Sequence, residues 1–232
     1  MKYSLFVLSF LLTTISCDNS TGPEIEPLVV QVAEDVIADP AVIGPDGRPA
    51  GSGRYTLYSL SENKIILSSE ETDAAVRQAD SASSKWDIGF NATTIIINGG
   101  SSGPGQGVAQ VLTEAFQDVV TAPETGYHAD GANQTCPGVQ TPAGTFPGAP
   151  YAICTGSGHG WYNYDSNGPL ITPIAGRTLV VRTAAEGNYA KVRILSYYKG
   201  SPSDPDPLAD ESRFYTFEYV LQPDGTRNLS LE

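Results

Sequence analysis

Two histidines are the side chains of this chain best suited to hold a transition metal. His128 and His159 are the only histidines among 232 residues, and both lie in one irregular segment, residues 121–160. A neutral imidazole ligates a metal ion through one of its ring nitrogens. If the fold brings the two rings together, they could contribute to one binding site.

Aromatic side chains flank both histidines. Tyr127 precedes His128, while Trp161, Tyr162 and Tyr164 follow His159. Flat apolar rings can form the walls of a slot for a planar ligand, and Tyr127 could also offer a phenolate to a metal ion. Trp161, Tyr162 and Tyr164 could equally stack on a glycan or another flat ligand without any histidine. The sequence therefore leaves open a surface-binding module as the alternative function.

Cys136 and Cys154 lie between the same two histidines. In an exported protein, two cysteines in one irregular segment favour a disulfide that would staple the segment. Together with the histidines they would also complete a Cys₂His₂ set, although the spacings match no common zinc finger. We predict the disulfide.

The first residues have the pattern of a secretion signal. Lys2 is followed by the apolar run LFVLSFLL and then by Cys17. The run is too short to span a membrane as a helix. We predict a lipoprotein signal peptide over 1–16, lipidation of Cys17, attachment to the membrane through that lipid only, and a flexible tether over 17–50.

The charge balance excludes one class of partner. The formal net charge is −13, and lysine and arginine occur singly along the chain. Binding to nucleic acid needs clustered positive charge, so we predict no nucleic-acid partner. The chain also lacks a His-Glu-x-x-His motif, and two histidines are too few for a conventional catalytic metal site, so we predict that it is not an enzyme.

The elements that must position these residues are mostly strands. With 24 glycines, 17 prolines and many β-branched residues, the chain predicts an all-β fold of predominantly antiparallel sheets with few short helices. The predicted helix covers 70–82. One strand starts at Trp86 and runs into the glycine loop 98–107. The other strands are predicted at 54–60, 64–67, 177–183, 189–198, 213–221 and 227–231, with a strand pair within 108–120.

Three stretches resemble the HmuY family of haem-binding bacterial lipoproteins. They are SKWDIGFNATTIIINGGSSGPGQG (84–107), GWYNYD followed by RTLVVRTAAEGNYAKVRILSYY (160–198), and FYTFEYVLQPDG (214–225). The resemblance implies a single HmuY-like β domain over 51–232 with haem as its cofactor. It also implies a place outside the inner membrane, at the outer membrane or cell surface, and transfer of haem to an outer-membrane receptor.

The resemblance also bears on the ligands. In the family, haem iron is held between two histidines, and the second of these positions falls on Ser166 in this chain. Because a hydroxyl is a poor iron ligand, we expect His128 and His159 to hold the iron. Tyr127, Trp161, Tyr162 and Tyr164 are the expected walls of the haem slot.

Overall fold

In a computed structural model of the protein, the structure describes residues 27–40, 42–43, 49–141, 144–185 and 187–231. The predicted signal peptide and Cys17 lie outside these ranges. Within them, no helix has both the length and the apolar character that a membrane crossing requires.

The larger sheet has five strands, and every neighbouring pair is antiparallel. Its two longest strands carry the alternating pattern that predicted them, with side chains pointing alternately to the two faces. In spatial order the strands are β1 (Gln31–Ile37), β15 (Ser212–Gln222), β14 (Tyr189–Tyr198), β13 (Thr178–Arg182) and β8 (Val108–Leu112).

The second sheet has four antiparallel strands. In spatial order they are β5 (Lys64–Leu67), β4 (Thr56–Ser59), β6 (Ile88–Asn91) and β7 (Thr94–Ile97). The strand predicted from Trp86 is therefore a hairpin of two strands. It turns at Ala92, whose φ is +45°.

Three two-stranded pairs and one helix complete the described elements. The pairs are β2 (Val42–Ile43) with β3 (Pro49–Ala50), β9 (Val139–Thr141) with β10 (Gly144–Phe146), and β11 (Tyr162–Asp165) with β12 (Leu170–Pro173). Helix α1 (Ala74–Ser81) begins after Asp73, whose carboxylate accepts hydrogen bonds from two N–H groups of the first turn. The predicted strand at 227–231 is absent from the described residues, where Asn228 forms only an isolated bridge to Thr121.

The core lies where the two sheets face each other. Tyr58 of β4 meets Phe217 of β15 edge to face at 5.3 Å between ring centroids, and Phe90 of β6 meets Tyr215 of β15 at 4.6 Å. These rings belong to a larger cluster of buried apolar side chains, whose burial is the main driving force that holds the layers together. The predicted all-β, mostly antiparallel fold is confirmed.

Strand β1 shows that part of the predicted flexible tether is folded. It lies within 17–50, yet it pairs with β15, so residues 31–37 are part of the folded domain. A register shift between Ala33 and Val36, with Asp35 at φ +50°, breaks the alternation that marks a strand in sequence.

Candidate functional site

His128 and His159 line the same cavity, which has a volume of about 290 Å³. The structure thus brings together the two histidines on which the predicted metal site depends. The cavity lies beside the edge strand β8, and its walls come mostly from the irregular segment. The lining residues are Gln110, Val111, Gly126, His128, Asn133, Thr135, Pro137, Ala152, Cys154, His159 and Arg177.

His128 is fixed by its backbone to the edge of the larger sheet. Its N–H donates to the carbonyl of Ala109 and its carbonyl accepts from the Ala109 N–H, both at 2.9 Å. One residue along β8, the Gln110 side chain donates to the carbonyl of Thr125 at 3.0 Å. These contacts give His128 a position defined by a strand although it lies in a loop.

His159 is oriented by a hydrogen bond of its ring. The ring Nδ1 lies 3.1 Å from the carbonyl oxygen of Thr155. A carbonyl can only accept, so Nδ1 carries the proton and Nε2 of the neutral ring keeps its lone pair for a metal. A Cβ at Gly156, whose φ is +99°, would approach that Nδ1 to 2.9 Å, so glycine leaves room for the ring.

Arg177 holds the loop that carries His159. Its Nη1 donates to the carbonyls of Gly160 (2.8 Å) and His159 (3.3 Å), and its Nη2 donates to that of Gly158 (3.2 Å). Three carbonyls on one planar guanidinium fix both the backbone of the loop and a positive charge at the cavity. The role of Arg177 could not be predicted from sequence, because nothing in its sequence neighbourhood indicates contact with a loop 17–19 residues away.

A disulfide crosses the wall of the cavity. Cys136 and Cys154 are bonded, with their Cα atoms 5.3 Å apart, as the sequence predicted. Asn133 braces the same wall by donating to the carbonyl of Ala152 at 3.3 Å. Both sulfurs are held in the disulfide, so they are not available as zinc ligands. Among the described residues, no cluster of three or more His, Cys, Asp or Glu side chains could hold a metal ion.

Asp130 ties the irregular segment to the four-stranded sheet. One carboxylate oxygen accepts from the N–H of Ile97 at 2.8 Å, and the other accepts from the N–H of Ala152 at 2.7 Å. The side chain is buried, and this burial raises the pKa of Asp130 above its ordinary value, while the hydrogen bonds limit the rise. Asp130 therefore connects β7 to a residue that lines the cavity.

The aromatic residues after His159 do not line the cavity. Trp161 is buried in the core against Tyr215 (5.1 Å) and donates from Nε1 to the carbonyl of Thr93 at 3.0 Å. Tyr162 is also buried and packs on Trp161, whereas Tyr164 is 47% exposed on β11. The predicted walls of Trp161, Tyr162 and Tyr164 are therefore not assembled around the histidines in the described part of the chain.

Tyr127 also lies apart from the cavity lining. Its ring packs 6.1 Å from that of Tyr189, beside a small buried cluster that includes Val119 and Leu229. Burial raises the pKa of Tyr127 to about 12. The phenol is therefore protonated at neutral pH, which disfavours a phenolate ligand at this position.

The sequence of this chain matches a known protein family. The family described as HmuY protein matches residues 53–219, which is most of the chain. The chain belongs to the HmuY family. The comparison with individual curated proteins gives no match. HmuY proteins are associated with haem binding, and the resemblance stated from the sequence motifs is thereby confirmed.

The donor set of the cavity fits the haem expected of an HmuY protein. Two imidazoles are common axial ligands of haem iron, and the hydrogen bond of Nδ1 leaves Nε2 of His159 without a proton. Arg177 supplies a positive charge that could meet a propionate. The cavity is at the small end of the range for ligand sites, and its described lining residues include no Phe, Tyr or Trp, so it would enclose only part of a porphyrin.

Proposed function

We propose that this HmuY protein binds haem outside the inner membrane, with His128 and His159 as axial ligands. The observation that carries the proposal is that the only two histidines of the chain line one cavity. The hydrogen bond from Nδ1 of His159 to Thr155 supports it, because this bond leaves Nε2 free for iron. Bound haem would supply only its iron and its flat apolar ring, and the protein would hold and release it without catalysis.

A few contacts would keep the cavity in shape for haem binding, and its loops would allow haem to be delivered. The disulfide and Asp130 hold Cys154 and Ala152 of the cavity wall, and Arg177 holds the loop of His159. We propose that the protein acquires haem and passes it to an outer-membrane receptor, as its family suggests. A loop-built wall suits this role, because loops open at lower cost in free energy than a sheet does.

Titration of the full chain with haemin, followed by absorbance, tests the proposal. We expect a Soret shift at micromolar haemin, and loss of most of that shift in the double variant His128→Ala/His159→Ala. Tyr164→Ala is the matched control, because Tyr164 is exposed and outside the cavity lining, and it should bind haemin normally. No Soret shift in the wild type would reject haem binding. A shift that survives the double substitution would reject these two ligands.

Membrane attachment is a separate proposal with its own test. We propose that the signal peptide is cleaved and that Cys17 carries the lipid, which fits a net charge of −13 that gives no attraction to anionic lipid. Cys17→Ala should move the protein from the membrane fraction to the soluble fraction. Continued membrane fractionation of this variant would exclude lipidation at Cys17.

The stacking module remains the alternative function and has less support. Trp161 and Tyr162 are 2% and 8% exposed, so of the three proposed rings only Tyr164 offers its face to solvent. A three-ring stacking platform is therefore not present in the described structure. Sugar binding that is lost in Tyr164→Ala, without any haemin binding, would favour this alternative.

A further inference from the structure

A second cavity lies between the β4–β5 hairpin, helix α1 and the start of the β6–β7 hairpin. Its volume is about 190 Å³, and it shares no lining residue with the histidine cavity. Much of its lining is apolar and belongs to a packed cluster that Tyr55 extends. The buried apolar members are Leu57, Leu67, Trp86 and Ile96, each at most 6% exposed. The site is therefore a preformed recess in the edge of the core.

Two arginines line this apolar cavity together. Nη1 of Arg77 is held by the carbonyls of Ser68 (3.0 Å) and Glu71 (3.3 Å), so the guanidinium has a fixed position. Within the described part of the chain, neither Arg54 nor Arg77 forms an ion pair. The pKa of Arg77 is lowered by burial and then by the positive charge of Arg54, while the negative charges of Glu71 and Asp39 act in the opposite direction.

The nearby carboxylates form no ion pair with either arginine among the described residues. Within the same part of the chain, Asp39 accepts hydrogen bonds from the N–H and the hydroxyl of Ser52, the N–H of Gly53 and the amide of Asn91. These donors hold the Asp39 carboxylate in its position. Glu71 accepts from the N–H of Asp73 at 2.7 Å. Two arginines thus face an apolar recess without a carboxylate bound to them, in a chain of strongly negative net charge.

We propose that this second cavity binds a small carboxylate with a compact apolar body. The carboxylate would lie between Arg54 and Arg77, because guanidinium and carboxylate groups match in charge and in their paired hydrogen bonds. The body would lie against Leu57, Trp86 and Ile96. An apolar protein cavity of about 150 Å³ holds one benzene ring, so a cavity of this size suits a single ring or a short branched chain.

The site is independent of the proposed haem site. The cavities share no lining residue, and neither arginine contacts His128 or His159 in the described structure. Variants that lose haem should therefore still bind the carboxylate. This independence allows either proposal to fail without the other.

Calorimetric titration of the full chain with benzoate and with its neutral isostere benzamide tests the proposal. We expect benzoate to bind with a Kd of about 0.1–1 mM, a range typical of a ligand of this size, and benzamide at least tenfold more weakly. Arg54→Gln should weaken benzoate at least tenfold. Arg54 is the variant of choice because its guanidinium makes no hydrogen bond within the described residues, so its loss should leave folding intact.

Two further measurements locate the binding. Arg182→Gln, at an exposed arginine on β13, is the matched control and should change the benzoate Kd by less than twofold. In NMR spectra, the indole N–H signal of Trp86 should shift on titration, whereas that of Trp161 should not, because only Trp86 lines the cavity. No binding of benzoate up to 10 mM (roughly tenfold above the weakest expected Kd), equal binding of benzamide, or an unchanged Kd in Arg54→Gln would overturn the proposal.

Discussion

The two cavities of this domain are made from different kinds of structure. Most residues that line the histidine cavity lie outside helices and strands, and only Gln110 and Val111 belong to a strand, β8. The arginine cavity instead takes its apolar wall from β4, β5 and β7 and one side from α1. One cavity is therefore shaped by a few polar crosslinks, and the other by the packing of the core.

Because the two cavities are built differently, substitutions at them should have different effects on stability and on ligand binding. The wall of the arginine cavity is part of the core, so a change there acts first on the free energy of unfolding. The histidine cavity is held by a disulfide, the carboxylate of Asp130 and the guanidinium of Arg177. Changes in these crosslinks should therefore act on haemin affinity as well as on the free energy of unfolding.

The largest effect is expected from the core wall. Trp86→Ala removes a side chain that is 1% exposed and its hydrogen bond to the carbonyl of Ser81, so it should lower the free energy of unfolding by about 3–5 kcal/mol. Urea denaturation measures the change. Tyr164→Ala, at an exposed ring, should stay within about 0.5 kcal/mol of the wild type. A loss below about 1 kcal/mol for Trp86→Ala would show that this wall is not part of the core.

The disulfide should come next and should act on the two cavities differently. Cys136→Ser/Cys154→Ser removes a link between residues separated by 18 positions. The chain-entropy argument gives a loss of about 3 kcal/mol in the free energy of unfolding. Because Cys154 lines the histidine cavity, haemin affinity should also fall, by about tenfold or roughly 1.4 kcal/mol. Benzoate affinity should change less than twofold, and an equal loss for both ligands would contradict the separation of the cavities.

Strands β14 and β15 could be predicted from sequence because their alternating pattern is local, and the disulfide because both cysteines lie in one irregular segment. Residues 189–198 and 213–221 alternate polar and apolar side chains, and they appear as β14 and most of β15. The bulge in β1 broke that pattern, and the strand was missed. The helix predicted over 70–82 is shorter than expected, because it begins only after Asp73, whose carboxylate caps the first turn.

The candidate site could be predicted only in part. The pairing of the histidines in one region followed from their position in the irregular segment. The burial of Trp161 did not, because its partners Tyr197 and Tyr215 are distant in sequence and the same residues would suit either a core or a ligand wall. Arg177 and Asp130 were missed for the same reason. Their role depends on backbone groups brought near by the fold, and neither residue type indicates such a partner.

Asp130 tests whether the irregular segment depends on its link to β7. Asp130→Asn replaces an acceptor oxygen with an NH₂ group that faces one of the two N–H donors, Ile97 or Ala152. We expect a loss of about 1–3 kcal/mol in the free energy of unfolding, measured by urea denaturation at pH 7. An unchanged stability would mean that the two backbone donors find other partners.

The pH dependence of stability, compared between the wild type and Asp130→Asn, tests whether burial or hydrogen bonding has the larger effect on the pKa of Asp130. Burial raises the pKa of Asp130 in the folded state above its value in the unfolded chain. Folding is therefore favoured most when this group is protonated, and its contribution to stability declines as the pH rises through the folded-state pKa. The stability advantage of the wild type over Asp130→Asn should be larger at about pH 4 than at pH 7. The opposite trend would show that the hydrogen bonds outweigh burial.

The smallest expected effect concerns Arg177 and the loop of His159. Arg177→Lys keeps the positive charge but replaces a planar group that reaches the carbonyls of Gly158, His159 and Gly160 with a single ammonium. Losing one or two of these bonds should cost about 1 kcal/mol of haemin binding, or about fivefold in Kd, because the loop no longer presents His159 in one position. Arg182→Lys, at an exposed arginine, is the control and should bind haemin within twofold of the wild type. An unchanged haemin Kd in Arg177→Lys would mean that the disulfide and Asp130 position the loop without the guanidinium. Benzoate binding should be unaffected in both variants, since the arginine cavity takes none of its lining from this loop.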